Sequence, residues 1–301
     1  MQENKITDSC LLLGNGINRC CGGLSWEELL NKIARNYFTS IDTGYSNTLA
    51  FEQLKCTILS RNIKLQSNDF AYDVIAELDR ISQDKYDEIF EFYKNIGFSN
   101  ILTTNFDYSI ERSLVSDYQY DKYTRYVIPQ ETKCSRIRHL IINDINIFHI
   151  HGELGKTGTI CLGNVHYAMN LKAIMDSVLN YSKETDAYTL KPSIFEDDNL
   201  ISWAQLFFTK DIFIVGLGLY DCDMDLWWLI AYRKQLILNG DKRIKNKITY
   251  YYLYEEKNQQ FLDCLESMDV EVQQREVQEN DWKTNYIDIA KNIKNLVEGG
   301  K

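Results

Sequence analysis

The feature that most limits the possible folds of this chain is an apolar run ending abruptly in polar residues, I-L-T-T-N-F-D at residues 101–107. A helix-like segment follows, so the run has the form of a strand that leads into a helix. In an open α/β sheet, ligands bind in the crevice beyond the carboxyl ends of the strands. We therefore expect Thr104, Asn105 and Asp107 to point into such a crevice. Asp107 is also suited to cap the helix that begins at Tyr108, and both interpretations stay open.

Three other apolar runs end in the same way. Residues 9–13 lead into Gly14-Asn15-Gly16-Ile17-Asn18, residues 144–150 into His151-Gly152, and residues 211–215 into a glycine-rich segment at 216–223. A glycine-rich turn after a first strand is typical of phosphate contacts, although two glycines also suit an ordinary tight turn. Strands that alternate with helices predict an α/β fold with a doubly wound, mostly parallel, Rossmann-like sheet and helical insertions. All four strand ends then converge on one crevice.

The remaining pattern predicts further elements of the same fold. A helix is expected at 25–38, with Ser25 as its N-cap and Glu28 completing a capping box. Other predicted elements are a helix at 224–238, a strand at 247–254, an edge strand at 270–274 and a closing helix at 281–297. The segments at about 39–97 and 155–208 are expected to be helical insertions. The first is a candidate lid, and the second should hold two helices, the later one bearing Ile194, Trp203 and Phe207 on its apolar face.

Composition excludes several classes of protein. The chain has 301 residues, 45% of them hydrophobic and 25% charged, which is typical of a soluble, folded protein. No window approaches the roughly 18 consecutive apolar residues of a membrane span, so we predict a cytoplasmic protein without membrane contact. The net charge of −10 disfavours direct binding of nucleic acid. The eight cysteines form no C-x-x-C pair, and we expect no metal site.

In chain order the four strand ends read G-N-G-I-N, T-T-N-F-D, H-I-H-G and G-L-G-L-Y-D-C-D. This order resembles the sirtuin superfamily, whose members carry G-A-G-[IV]-S, T-Q-N-x-D and H-G motifs. The last segment is similar to the G-Y-S-L-S-D-x-D pattern of bacterial sirtuin-like proteins. The zinc-binding cysteine pairs of sirtuin deacetylases have no counterpart, since Cys161 stands alone, and Leu24-Ser25-Trp26 occupies the place of their D-F-R. The resemblance is therefore to the zinc-less, NAD-consuming branch found in bacterial antiviral defence.

The resemblance implies that residues 1–301 form a single sirtuin-like NAD-binding domain in which NAD is a substrate and no cofactor is needed. The implied activity is that of an NAD glycohydrolase, which cleaves NAD to nicotinamide and ADP-ribose, in an antiphage abortive-infection effector. A toxic enzyme must be restrained at rest. We therefore expect a homo-oligomer and a regulatory protein partner, such as an ATPase or an Argonaute-like protein.

Three residues are candidates for the catalytic work. A neutral histidine takes a proton from water or from a ribose hydroxyl near neutral pH, and we assign that role to His151. A carboxamide both donates and accepts, so Asn105 is suited to hold a ribose hydroxyl and to orient the attacking water. Asp107 either fixes Asn105 or places negative charge near the developing cation.

The remaining candidate residues are expected to bind the two ends of NAD. The first loop should cradle the pyrophosphate, and the last should border the adenosine ribose. The NAD-binding candidates are Gly14, Asn15, Gly16, Asn18, Thr104, Gly216, Gly218 and Asp221. Of the other histidines, we expect His149 to be a packing residue and His139 to be solvated in a basic patch. His166 is a further candidate for the nicotinamide pocket.

Other functions fit parts of the pattern. A module that senses NAD or an ADP-ribose derivative without turnover would need the glycine loops but not His151. A zinc-independent deacylase or ADP-ribosyltransferase would use the same site on a second substrate. A redox dehydrogenase fits less well, because Arg19 replaces the third glycine of G-x-G-x-x-G.

Overall fold

The computed structural model describes residues 5–41, 44–61, 76, 88–115, 118–119, 125–126, 137–196, 202–278 and 281–299. Its strands are β1 (Ser9–Leu13), β2 (Asn100–Thr103), β3 (Arg125–Tyr126), β4 (His139–Ile142), β5 (Ile145–His149), β6 (Leu179–Ser182), β7 (Ala187–Leu190), β8 (Asp211–Val215), β9 (Ile248–Tyr254) and β10 (Val270–Glu276). Its α-helices are α1 (Asn15–Cys20), α2 (Trp26–Asn36), α3 (Asn47–Arg61), α4 (Ile89–Lys94), α5 (Ser109–Leu114), α6 (Asn164–Val178), α7 (Leu206–Thr209), α8 (Met224–Leu238), α9 (Gln259–Ser267) and α10 (Trp282–Gly299). Within this part of the chain, no helix combines the length and the hydropathy needed to cross a membrane.

The main sheet has eight strands in the order β10-β9-β8-β1-β2-β5-β4-β3. All neighbours from β10 to β5 are parallel, and β4 and β3 extend the sheet in antiparallel pairing. Strand β1 lies in the middle, with Leu13 opposite Thr103 of β2 on one side and Val215 of β8 on the other. The predicted Rossmann-like α/β sheet is therefore confirmed.

Both faces of the sheet are covered, and its central strands are apolar at consecutive positions, such as Cys10 to Leu13 of β1 and Ile212 to Val215 of β8. Cys10 and Leu12 of β1 belong to a core with α6 and α8, whereas Leu11 and Leu13 belong to the opposite core with α4 and α10. Alternate side chains of a strand point to opposite faces, so one short run supplies two cores. A third cluster joins α2 and α3 to Phe106, which follows β2.

Local sequence signals fix the start of α2. The Ser25 hydroxyl accepts a hydrogen bond from the Glu28 backbone N–H at 3.1 Å, and the Ser25 N–H donates to the Glu28 carboxylate at 2.7 Å. This reciprocal pair is the predicted capping box. These bonds also lower the pKa of Glu28.

The prediction of two helices in 155–208 is half wrong. Helix α6 is present, but a two-stranded hairpin of β6 and β7 follows it, and the later segment contains short 3₁₀ turns at Pro192–Phe195 and Trp203–Gln205 before α7. Ile194, Trp203 and Phe207 are all fully buried in the core beneath α8. Apolar spacing in a fully buried segment does not distinguish a helix from irregular chain, which explains the error.

In the first insertion α3 and α4 are present, and the helical pattern predicted at 70–78 lies, except for Ala76, outside the described residues.

The expectation that His139 is solvated is also wrong. His139 and Arg138 are 9% and 2% exposed, because β4 forms an unpredicted hairpin with β5. The connecting residues Asn143 and Asp144 both have positive φ, 50° and 58°, as a tight two-residue hairpin turn requires. Burial lowers the pKa of His139.

Candidate functional site

The strand order reverses between β1 and β8, and this places two predicted loops side by side. The chain proceeds from β1 outward through β2 and β5, and later returns to the other side of β1 as β8. The Gly14 N–H donates to the Val215 carbonyl at 2.9 Å, and the Gly16 N–H donates to the Gly216 carbonyl at 2.7 Å. A crevice at such a reversal, beyond the carboxyl ends of the strands, is where open α/β sheets bind ligands.

Glycine is required where the two loops touch. A Cβ on Gly14 would lie 2.5 Å from the Gly216 carbonyl oxygen, and one on Gly16 would lie 2.9 Å from the same atom. Gly216 itself has a φ of +69°, which favours glycine. The close approach of two backbones therefore explains these three glycines. Gly218 and Asp221 lie further along the second loop and are exposed.

Asn105 lies beside this junction of the two loops. The Thr103 hydroxyl donates to the Leu13 carbonyl at 3.0 Å and accepts from the Asn105 N–H at 3.0 Å. The Asn105 carboxamide donates to the Gly14 carbonyl at 3.3 Å and is buried. The half-buried Thr104 is tied to Leu13 through its backbone N–H at 3.2 Å. The structure thus brings Asn105 and Thr104 next to the first loop.

The asparagines of the first loop have partners within the protein. The Asn15 carboxamide donates to the Leu24 carbonyl at 2.7 Å. The Asn18 carboxamide donates to Asp107, whose other carboxylate oxygen accepts from the Ser109 N–H at 2.9 Å. Asp107 therefore contacts the first residue of α5 and also anchors Asn18, but the N-cap position of α5 is Tyr108, one residue later than predicted, and no side chain caps the helix there.

His151 contacts a different set of side chains. Its Nε2 lies 3.0 Å from Asp225 Oδ2 at the start of α8, and its Nδ1 lies 3.4 Å from the Tyr167 hydroxyl of α6. The Asn170 carboxamide donates to the same Asp225 oxygen. His151 is 2% exposed and Asp225 and Asn170 are fully buried. Asn105 lies two positions after Thr103 of β2, and His151 lies two positions after His149 of β5. Thr103 and His149 are opposite each other in the sheet.

Sequence reasoning did not find Asp225, Asn170 or the contact with Tyr167. An aspartate in the first turn of a helix has the ordinary function of complementing the helix dipole, so Asp225 carried no distinctive signal. Asn170 did carry a signal in the sequence, because it shares the buried side of α6 with Tyr167 and Ile174. A polar residue on the buried side of a helix needs a polar partner.

Two groups near His151, the Asp223 carboxyl and the Tyr167 hydroxyl, have raised pKa values. Burial and the charge of Asp225 raise the pKa of Asp223 to about 6, although the charge of His151 and a hydrogen bond from the Tyr220 N–H oppose the shift. Burial, reinforced by the charges of Asp223 and Asp225, raises the pKa of Tyr167 well above its usual range. Perturbed groups of this kind cluster at functional sites, although structural networks also produce them.

His149, expected to be a packing residue, is part of a buried charged network. Its Nε2–H donates to the Glu111 carboxylate at 2.7 Å and its Nδ1–H donates to the Asn105 carbonyl at 2.7 Å. Burial alone would lower the pKa of His149, but Glu111, Glu153 and the bond to Asn105 raise it to about 9. A cationic imidazole donates from both nitrogens, so His149 holds the backbone carbonyl of Asn105 while it pairs with Glu111.

The same network continues away from the crevice. Arg138 pairs with Glu153 at 2.8 Å, and the Tyr108 hydroxyl donates to Glu153 at 3.1 Å. Across residues 5–299, wherever the structure describes the chain, no three His, Cys, Asp or Glu side chains are placed to hold a metal ion.

The structure therefore groups Asn105, Thr104, Gly14, Gly16 and Gly216 at the junction of the two loops. Asn18 and Asp107 are bonded to each other at its border, and His151 is held by Asp225. The catalytic and NAD-binding roles assigned to these residues stay predictions.

Comparison with known families gives one match. A family model described as a SIR2-like domain matches residues 99–273, more than half of the chain. This span includes β2, Asn105, His151 and the second glycine loop. Among curated proteins, none matches the chain.

Proposed function

Because this chain belongs to the SIR2-like domain family, for which an NAD-related function is expected, we propose that it is an NAD glycohydrolase. The reaction joins NAD and water to give nicotinamide, ADP-ribose and one proton. The observation that carries the proposal is the position of the Asn105 carboxamide, beside Gly14 at the reversal of the strand order. A dinucleotide placed across that reversal would lie over the two touching glycine loops, with one ribose next to Asn105.

Cleavage of the bond between nicotinamide and ribose needs little acid catalysis. Nicotinamide leaves NAD as a neutral molecule, so the enzyme must chiefly stabilise the cationic ribosyl group and position water. In our proposal Asn105 holds a ribose hydroxyl and orients the water through its carboxamide. His151 takes the proton that water or the ribose hydroxyl gives up. Asp107 holds the first loop in place through Asn18 and contributes negative charge at the border of the site.

The glycine loops have the binding role in this proposal. Their backbones already meet at Gly16 and Gly216, and because these residues carry no side chain, a pyrophosphate could come close to the main chain there. Gly218 and the exposed carboxylate of Asp221 lie on the outer part of the second loop, where an adenosine ribose would extend. Asn15 and Thr104 flank the junction and complete the binding surface.

The decisive experiment measures nicotinamide release from NAD by the purified protein and NAD content in cells that express it. The unaltered protein should release nicotinamide and deplete NAD, whereas Asn105→Ala and His151→Ala should lower release at least about 100-fold. Asn180→Ala is the matched control, because Asn180 is exposed on the β6–β7 hairpin. Equal release by all four proteins would remove the assignment of Asn105 and His151.

Binding measured by calorimetry separates the proposal from its alternatives. Tight NAD binding without product, unaffected by His151→Ala, would identify a sensing module. Nicotinamide release that depends on an acyl-lysine peptide or on a protein acceptor would identify a deacylase or an ADP-ribosyltransferase. Neither pattern is expected of a hydrolase that uses water.

We further propose that NAD cleavage serves antiphage defence by abortive infection, which the resemblance to bacterial defence proteins supports. Phage infection of cells carrying the protein should lower NAD before lysis, and His151→Ala should abolish both the drop and the protection. Survival that does not depend on His151 would contradict this role. Restraint before infection would come from a homo-oligomer or from a partner protein, and purification of the complex from uninfected cells tests for it.

A further inference from the structure

The main chain of Asn105 is held by two buried polar side chains. Its N–H donates to the Thr103 hydroxyl at 3.0 Å, and its carbonyl lies 2.7 Å from His149 Nδ1. The Nε2 of the same imidazole lies 2.7 Å from the Glu111 carboxylate. Thr103, His149 and Glu111 are all buried. A chain of contacts therefore runs from a buried carboxylate through an imidazole to the backbone of Asn105.

The two acceptors require His149 to carry two ring hydrogens. A backbone carbonyl only accepts, and so does a carboxylate. Each ring nitrogen must therefore donate, which only the imidazolium does. A neutral ring has one hydrogen, and this would stay on Nε2, because hydrogen bonds to an ionised group are about twice as strong as those between neutral groups. The lone pair on Nδ1 would then face the Asn105 carbonyl, so the bond to Asn105 depends on the positive charge of His149.

We propose that Glu111 and His149 are positioning residues for the cleavage of NAD: the carboxylate orients the imidazole, whose Nδ1–H holds the Asn105 carbonyl and thereby keeps the Asn105 carboxamide at the junction of the glycine loops. The inference rests on the function proposed above and adds two residues to which no motif assigned a part in the site. The carboxamide reaches the Gly14 carbonyl at 3.3 Å, so a rotation of the backbone at Asn105 would move it away from the junction. A displacement of about 1 Å in a reacting group is enough to slow catalysis about 100-fold.

The competing explanation is that Glu111 and His149 only stabilise the fold by joining α5 to β5. Two amide side chains separate the explanations, because asparagine can place its NH₂ group where His149 has Nδ1, and glutamine can place its own near Nε2. His149→Asn therefore keeps a donor to the Asn105 carbonyl and loses the contact with Glu111, whereas His149→Gln does the reverse. Each is combined with Glu111→Gln, so that no carboxylate is left buried without its cation.

The pH dependence of kcat gives a second test. The titratable and charged groups around His149 in the described part of the chain are Glu111 on α5, Glu153 after β5 with its partner Arg138, and Tyr108, whose ring lies edge-on at 5.5 Å. Burial alone would lower the pKa of His149, but the charges of Glu111 and Glu153 and the hydrogen bond to the backbone raise it to about 9. The value of kcat should therefore fall as the pH rises through about 9, and Glu111→Gln should move that fall to lower pH.

The experiment measures NAD cleavage by the full-length proteins at pH 7.5, at a temperature where circular dichroism shows each variant to be folded. The double variant of His149→Gln and Glu111→Gln should lower kcat about 10- to 100-fold and change KM much less. The double variant of His149→Asn and Glu111→Gln should have a kcat at least about threefold higher than the first, because the donor to Asn105 is kept.

The control variant is Arg233→Gln, which removes another buried cation. Arg233 is 2% exposed and pairs with Asp269 at 3.1 Å. It also bonds to Asn246 at 3.3 Å, two residues before β9 begins, at the edge of the sheet away from the crevice. Arg233→Gln should therefore lower the melting temperature without changing kcat. Nitrogen NMR of histidine-labelled protein, with the His149 signal assigned from His149→Gln, should show hydrogen on both ring nitrogens at pH 7.5.

Each other outcome overturns the proposal in a distinguishable way. A single ring hydrogen on His149 at pH 7.5 removes its geometric basis, whatever the activity. Equal kcat values for the two double variants, or a kcat that falls with the melting temperature in Arg233→Gln as well, would leave the network a structural role only. A fall of kcat near pH 9 that Glu111→Gln does not move belongs to another group. Absence of NAD cleavage by the unaltered protein, both purified and in cells, instead removes the function proposed above, and the positioning role with it.

Discussion

Replacing Asp223 by asparagine is expected to stabilise the protein by about 3 kcal/mol at neutral pH and by almost nothing near pH 4. Asp223 is 7% exposed and its pKa is raised from 3.8 to about 6, chiefly by burial and also by Asp225. The difference is about two pKa units, and each unit is worth about 1.4 kcal/mol. The folded state thus binds a proton more tightly than the unfolded chain does.

The sign of the pH dependence follows from that difference. Between about pH 4 and pH 6 the folded protein holds a proton that the unfolded chain has released, so the stability falls as the pH rises. Above about pH 6 the full cost of an ionised, buried carboxylate remains. Asparagine never ionises, and its carboxamide oxygen still accepts the hydrogen bond that the Tyr220 N–H now gives to Asp223 at 2.9 Å.

The measurement is urea unfolding of both proteins at several pH values between 4 and 7.5, with the midpoints compared at equal slope. The midpoint of Asp223→Asn should exceed that of the unaltered protein at pH 7.5, and the two should converge near pH 4. Asp221→Asn is the matched control, because Asp221 is exposed two residues away, and it should have little effect at any pH. A gain that is equal at both ends of the pH range would refute burial of charge as its cause.

Two further predictions concern the network below Asn105 and the glycine junction. His149→Gln should destabilise the protein by about 3 to 5 kcal/mol because it leaves Glu111 buried without its cation, whereas the double variant with Glu111→Gln should be less destabilised. Since the pKa of His149 is raised to about 9, the stability that this pair contributes should be full below about pH 6.5 and lost as pH rises through 9. Urea unfolding of the unaltered protein, both single variants and the double variant at pH 6 and pH 10 checks both statements. Additive effects of the two substitutions would contradict the coupling, and equal effects at the two pH values would contradict the pH dependence. Gly14→Ala should lower the melting temperature and NAD binding together, because its Cβ would meet backbone atoms at 2.5 Å. Gly299→Ala should be neutral in scanning calorimetry, because its Cβ would meet no atom of the described residues within 4 Å. A neutral Gly14→Ala would show that the two loops are not held as close as described.

The architecture was largely predictable because its signals are local. The strands β1, β2, β5 and β8 are buried apolar runs followed by glycine or polar residues, and a parallel sheet covered on both faces requires such runs. The capping box of α2 was predictable for the same reason, since its two residues are three positions apart. The missed hairpin of β4 and β5 had a local signal in Asn143-Asp144, which the charged surroundings of His139 obscured.

The partners of the site residues were not predictable from local pattern. His151 and Asp225 are 74 positions apart, and Asn170 and Asp225 are 55 apart. Such contacts depend on how α6 and α8 pack against the sheet, which spacing along the chain does not encode. The same holds for Asn18, which meets Asp107 from 89 positions away. Motifs identified which residues gather at the strand ends, but not which of them bond to each other.

The central place of β1 has a consequence for the order of events during synthesis. This strand is made before both of its neighbours in the sheet, and one of them, β8, follows only after some two hundred further residues. Contacts of such long range form late. A nascent chain therefore has no assembled crevice between β1 and β8 until residues 211–215 have been translated.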